Sequence, residues 1–312
     1  MTIAFFSHPA CERHETLRLH PEQPARLSAI ADQLLASGLD FVIRYHEAPP
    51  ADRAQLLRVH TAEYIDQVFN SAPKEGLTWL DGDTAMGPLT LDAALHAAGA
   101  VIGAVDLVLD GPITTAFCAV RPPGHHAERA RTGGFCIFNN VAVGAAHALA
   151  VHGLERIAIV DFDVHHGNGT EDVFRDEARV LFCSSFQHPF YPNTGADTVS
   201  DHIVNVPLKA GARSAGFREA IEQRWFPALE AFRPQLLMIS AGFDGHIEED
   251  MAQLGLIERD YAWVTKHLKD IADRHAQGRI VSVLEGGYTL GALGRSVAAH
   301  LNALLGTAGT VG

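Results

Sequence analysis

The chain has 312 residues, 47% of them hydrophobic and 20% charged, with a formal charge of −13 at pH 7. Near-zero mean hydropathy, with no repeat, charge block or compositional break, excludes disordered and repeat architectures and leaves one large α/β domain over residues 1–312 as the expectation. The negative balance argues against nucleic acid as a partner, whose phosphates it would repel, and suits a cationic substrate such as a lysine-rich peptide or a polyamine.

In chain order, short apolar or β-branched runs place strands at 2–6, 41–45, 113–119, 156–162, 179–184, 203–207, 235–241 and 279–284. Ala/Leu-rich amphipathic segments between them place helices at 25–37, 61–70, 90–110, 140–152, 214–231 and 258–277, with Thr61 and Ser214 at two of the starts. Such alternation predicts a mostly parallel sheet with helices on both faces. The loops at 7–24, 71–89, 121–139, 185–201 and 242–255 are rich in Gly, Pro, His and Asp, and would crowd the carboxyl edge of that sheet. No apolar run reads as long enough to span a membrane, and residues 1–15 lack the basic start and cleavage site of a signal peptide, so a cytoplasmic address with no membrane partner is expected. Cys11, Cys118, Cys136 and Cys183 are far apart with no CxxC pair and read as free thiols, which leaves no disulfide and no thiolate metal site.

The chemistry centres on residues 157–174, IAIVDFDVHHGNGTEDVF. A buried strand turns abruptly polar at its carboxyl end, and side-chain alternation sends Asp161, Asp163 and His165 to one face. Two carboxylates and an imidazole suit zinc, but need a further ligand. Asp244, at the end of another buried run in SAGFD, supplies it, with His246 as runner-up. After a third strand, RPPGHH sets His125 and His126 on a stiff turn, suited to acid/base work near neutrality. LEGGY closes the last strand, where a Gly-Gly turn aims Tyr288 at the same edge as an oxyanion donor.

In this order RPPGHHA, GFCIFNNVA, DFDVHHGNGT, SAGFD and LEGGY, with HPEQPARL at 20–27 and VHTAEYI at 59–65, resemble the zinc-dependent histone deacetylase family over roughly residues 8–295. Asn168, standing where class I members carry aspartate, places the resemblance in the class II and bacterial amidohydrolase branch. It implies the arginase/deacetylase fold, a single-domain α/β architecture with an eight-stranded, mostly parallel sheet. It implies one catalytic zinc on Asp163, His165 and Asp244, with His126 as general base bonded to Asn168, His125 as a charged partner held by Asp161, and Tyr288 polarising the amide carbonyl. Phe135, Gly134, Tyr191 and Gly286 would line the acyl-lysine channel, Met251 would stand at its mouth, and Asp83, with Asp81 as the nearby alternative, would grip substrate backbone. Potassium would bind Asp161, Asp163, His165, Ser185 and Phe186, with a second site around Phe174 and Val180.

The implied activity is hydrolysis of acetyl or other short acyl groups from lysine ε-amines in proteins or peptides, with deacetylation of a small acylated amine such as an acetylpolyamine as the alternative. The acidic run Glu248-Glu249-Asp250 beside Met251 keeps the polyamine reading open. A two-manganese arginase-type site lacks bridging aspartates at His166, Gly167 and Asn168. A silent scaffold is disfavoured by the complete residue set. Oligomeric state is left open, with a homo-oligomer among the options.

Overall fold

The computed structural model describes residues 2–15 and 17–306. Among the described residues there are ten strands, β1 (Ile3–Ser7), β2 (Ile43–Glu47), β3 (Thr78–Trp79), β4 (Ala85–Met86), β5 (Thr115–Cys118), β6 (Ile157–Asp161), β7 (Val180–Gln187), β8 (Ile203–Leu208), β9 (Leu236–Ala241) and β10 (Ile280–Leu284). Eight form one parallel sheet in the order β2-β1-β5-β10-β9-β6-β7-β8, and β3 and β4 form a small antiparallel pair. All eight strands expected from the sequence are in the large sheet. The central ones are buried throughout, so a run such as Ile157-Ala158-Ile159-Val160 carries apolar side chains on both faces. β2 lies at an edge, and its outward side chains are accordingly polar or exposed.

The helices are α1 (Pro9–Arg13), α2 (Ala25–Ser37), α3 (Arg53–Leu56), α4 (Ala62–Ser71), α5 (Thr90–Asp110), α6 (Asn140–Val151), α7 (Asn168–Phe174), α8 (Ser214–Phe232), α9 (Glu258–His275) and α10 (Leu290–Leu305). Thr61 caps α4 by accepting the Tyr64 N–H at 3.2 Å. α10 packs between α2 and α9, whereas α5 packs on α6 and across β1, β5 and β10. α10 is not among the helices expected from the sequence, because Gly291, Gly294 and Ser296 depress its intrinsic propensity. Packing overrides that penalty. A Cβ at Gly294 would stand 2.8 Å from the Ala29 carbonyl of α2, so glycine there lets the two helices meet closely. One expectation is corrected: α5 is long and apolar enough to cross a membrane by length and composition. In the fold, 67% of its apolar window is buried among the sheet and α6, which accounts for its composition. The four cysteines are buried free thiols.

Behind the carboxyl edge of β5 lies a buried charge cluster. Glu22 is 1% exposed and accepts from both Arg26 (3.2 Å) and Arg121 (2.8 Å), each guanidinium fully buried, with His14 Nε2 3.5 Å away. Burial alone would raise the Glu22 pKa, but the Arg121 charge and the His14 hydrogen bond pull it well below the usual carboxylate range. A depressed carboxylate stabilises the fold above its unfolded pKa of about 4.3 and loses that contribution as pH falls. Glu22→Gln should therefore cost about 3–5 kcal/mol at pH 7, read by denaturant unfolding, with the gap to the parent narrowing below about pH 4.

Candidate metal centre and active site

Four adjacent strands, β5, β10, β9 and β6, deliver the site from their carboxyl ends. Asp163 and His165 leave β6 within a few residues, and Asp244 follows β9. One ligand atom from each lies within 4.8 Å of the others, and all three side chains are buried. His165 Nδ1 is 3.0 Å from Asp163 Oδ1 and 3.2 Å from Asp244 Oδ2, yet the Asp244 oxygen has no hydrogen-bond partner. Burial would lower the His165 pKa, but the Asp163 and Asp244 carboxylates beside the ring push it up to about 10; burial and the Asp163 charge push Asp244 up to about 6. Two buried carboxylates converging on one ring nitrogen, with an oxygen left over, match the donor set of a divalent cation.

Glycines shape the cradle. A Cβ at Gly286 would collide with the Asp244 and Asp163 carboxylates, and one at Gly242 with Asp163. The Gly286 N–H donates to Asp163 Oδ2 at 2.8 Å. Gly286→Ala should therefore lower bound zinc per chain, measured by elemental analysis after gel filtration, while leaving the sheet folded. Gly134 stands the same way against the His126 ring, at φ 54°.

The remaining expected residues assemble around this set. His125 Nδ1 donates to Asp161 Oδ2 at 2.9 Å, and Asp161 Oδ1 accepts the Asp163 N–H at 3.1 Å, so Asp161 turns to His125. Burial opposes the charge on His125, but Asp161, Asp163 and then Glu285 raise its pKa well above the ordinary value. His126 goes the other way, since burial and the neighbouring His125 and His165 hold it well below. Asn168, first residue of α7, donates through Nδ2 to Glu128 Oε1 at 2.7 Å, which leaves its Oδ1 to accept from His126 Nδ1 at 2.7 Å. That assignment leaves His126 Nε2 with its lone pair. Phe135 meets the Tyr288 ring edge-on at 6.0 Å, and Tyr191, 39% exposed, lies 5.2 Å from His126. Burial, then Asp244, keeps the Tyr288 phenol protonated far above its ordinary range.

The other expected positions lie outside the three-residue ligand set. His246 faces away from the ligand set: its Nδ1 accepts the Glu248 N–H at 3.1 Å, and Nε2 lies 3.5 Å from Glu258. Asp83 accepts from the Gly134 N–H at 3.2 Å and lines a small inner cavity with His14, His20, Glu22 and Phe135, while Asp81 caps the Asp83 and Thr84 N–H groups. The Phe174 carbonyl is 3.1 Å from His202 Nε2. Ser185 and Phe186 are buried on β7, Met251 is half-buried, and the neighbouring Ser184 hydroxyl is buried without a partner.

Other residues were not singled out from sequence. Phe190 stacks on the His165 ring at 5.3 Å and 18°. Glu285, fully buried, accepts the Gly124 and His125 N–H groups at 2.7 and 3.1 Å, and so holds the histidine turn; burial raises its pKa to about 7. Two further His/carboxylate groups among the described residues have their carboxylates engaged, although His246 Nε2 in the second is buried without a hydrogen-bond partner. In Asp106, His147 and His152 the spacings of 2.8 and 2.7 Å are hydrogen-bond distances, and Arg58 donates to His147 Nδ1. In His246, Glu248 and Glu258, Arg295 pairs with both carboxylates.

A buried Asp-His-Asp set beside a histidine pair and a tyrosine, at the carboxyl edge of a parallel sheet, defines a metal-dependent hydrolase. The family model for the histone deacetylase domain matches residues 20–304. The chain is 38% identical over 276 residues to a histone deacetylase-like amidohydrolase of Pseudomonas aeruginosa, covering 86% of this chain and 72% of that one. It is 38% identical over 302 residues to the polyamine deacetylase HDAC10 of Homo sapiens, covering 91% of this chain and 44% of that protein. It spans 21% of the length of type-2 histone deacetylase 2 of Dictyostelium discoideum, at 36% identity. The crystal structure of the HDA15 HD domain superimposes with a TM-score of 0.93 at 32% identity, covering 98% of this chain and 89% of that one. The chain belongs to the histone deacetylase family, a zinc-dependent family, and is a deacetylase-type amide hydrolase.

Proposed function

We propose that this deacetylase removes acetyl or another short acyl group from the ε-amine of lysine in proteins or peptides, in the cytoplasm. The observation that carries it is the buried Asp163, His165 and Asp244 set, with its unpartnered Asp244 oxygen, 5.8 Å from the His126 ring at His165 and near enough to Tyr288 for the Asp244 charge to act on the phenol. Zinc held there would supply Lewis-acid polarisation of the scissile carbonyl and of the attacking water. His126, neutral and oriented by Asn168, takes the proton from water at Nε2 and returns it to the departing amine. His125, kept charged by Asp161, places a fixed positive charge beside that transfer. Tyr288 donates its proton in a hydrogen bond to the developing oxyanion. Phe135 and Tyr191 flank the stem of the acyl-lysine. A potassium ion on Asp161, Asp163, His165, Ser185 and Phe186 would be structural; the register pairing Asp161 with Ser184 brings those segments side by side.

The polyamine relative keeps a second reading in view, but the acids that would favour it are committed here. Glu248, itself exposed, pairs with Arg295, and the Glu249 carboxylate accepts backbone N–H groups, leaving the exposed Asp250 as the remaining acid of that run beside Met251. An acetyl-lysine peptide should therefore be turned over with higher kcat/KM than acetylspermidine, and a chelator should abolish both activities. Preference for the acetylpolyamine would overturn the peptide reading.

A further inference from the structure

We infer that Glu249 is a positioning residue for Tyr288, fixing the peptide that carries the phenol; this rests on reading Tyr288 as the oxyanion donor. Between the end of β10 and the start of α10 run Glu285-Gly286-Gly287-Tyr288-Thr289, and Gly287 adopts φ 116°, a conformation open to glycine alone. Two glycines leave the tyrosine on a backbone whose course must be set by other segments. Gly286 is held through its N–H by Asp163 and through its carbonyl by the Phe243 N–H at 3.0 Å. Arg26 takes the Gly287 carbonyl at 2.7 Å and the Glu285 carbonyl.

These contacts all precede the tyrosine. Tyr288's own N–H donates to Glu249 Oε2 at 2.8 Å and the Thr289 N–H donates to the same oxygen at 3.0 Å, while the Thr289 hydroxyl donates to the Glu248 carbonyl at 3.0 Å, with Glu249 Oε1 3.3 Å away. Thr289 is the N-cap of α10 but caps nothing with its side chain. The Glu249 carboxylate, 8% exposed, binds the two N–H groups just ahead of the first helical residue, where the helix dipole favours an anion. Glu249 is itself tied back, its N–H donating to the His246 carbonyl at 2.9 Å and His246 N–H to the Phe243 carbonyl at 3.3 Å. One turn thus begins at Asp244 and ends at the support of Tyr288, giving the metal set and the phenol a common mount. A side chain that must meet an oxyanion tolerates little error, since a displacement of about 1 Å can cost on the order of a hundredfold in rate.

The test compares Glu249→Ala, Glu249→Gln, Tyr288→Phe and the Glu249→Ala/Tyr288→Phe double variant by kcat and KM, alongside hydrogen exchange of the Tyr288 and Thr289 amides. Glu249→Ala should lower kcat about 10- to 100-fold with KM within about twofold, and Glu249→Gln, which keeps an acceptor oxygen, should fall between it and the parent. The double variant should be no more than about threefold worse than Tyr288→Phe alone, because a lost hydroxyl no longer needs placing. Both amides should exchange faster in Glu249→Ala. Unchanged kcat in Glu249→Ala, or losses that multiply in the double variant, would overturn the inference. If Glu249→Ala does not fold, Glu249→Gln carries the same comparison. Full activity in Tyr288→Phe would instead sink the reading of Tyr288, and unchanged amide exchange in Glu249→Ala would by itself show that Glu249 does not hold the loop.

Discussion

Tyr288→Phe is expected to lower kcat by about 10²- to 10³-fold, the usual effect of deleting one oxyanion donor, or about 3–4 kcal/mol of transition-state stabilisation. KM should change little, because the hydroxyl is used in the transition state rather than in binding. The ring's contacts do not involve the hydroxyl: Arg26 lies 5.0 Å over its face and Phe135 meets it edge-on. Thermal stability and zinc content should therefore match the parent. Steady-state kinetics on an acetyl-lysine peptide would show it, and a fully active variant would remove Tyr288 from the chemistry.

Asp161→Ala should behave differently, damaging fold and catalysis together. Asp161 is fully buried between His125 and the Asp163 backbone, so its removal leaves a buried charged imidazole short of its nearest carboxylate and an N–H without its acceptor. Breaking a buried pair from one side costs about 3–5 kcal/mol, which is a large fraction of a typical domain's stability. The measurements are the denaturant midpoint and the zinc content, with turnover normalised to folded protein. A well-folded and fully active Asp161→Ala protein would show that Asp161 neither charges His125 nor steadies the ligand loop.

Much of this was legible in the sequence, for local reasons. Buried parallel strands are written as β-branched runs, so the whole sheet could be read, and strict alternation after Val160 placed Asp161, Asp163 and His165 together. Asp244 announced itself at the end of a strand. What stayed hidden depends on contacts between distant segments. Arg26 meets Gly287 across 261 residues, and nothing near either position signals it. Glu249 sits in an acidic run that the sequence offers to a cationic substrate, although its carboxylate is turned inward to the Tyr288 N–H. Glu285 looked like a strand terminus until the Gly124 and His125 N–H groups were found on it. α10 was concealed by its glycines, one of which serves its approach to α2.

The position of β10 bears on how the molecule is made. β10 lies between β5 and β9, so without it the sheet is two separate pieces, β2-β1-β5 from residues 3–118 and β9-β6-β7-β8 from residues 157–241. A ribosome delivers both pieces before it delivers the strand that joins them. Until then each piece presents an unpaired strand edge, β5 on one and β9 on the other, and such edges invite pairing with other chains. Glu285 and Tyr288 arrive with the joining strand, so hydrolytic competence and closure of the sheet become a single late event in synthesis.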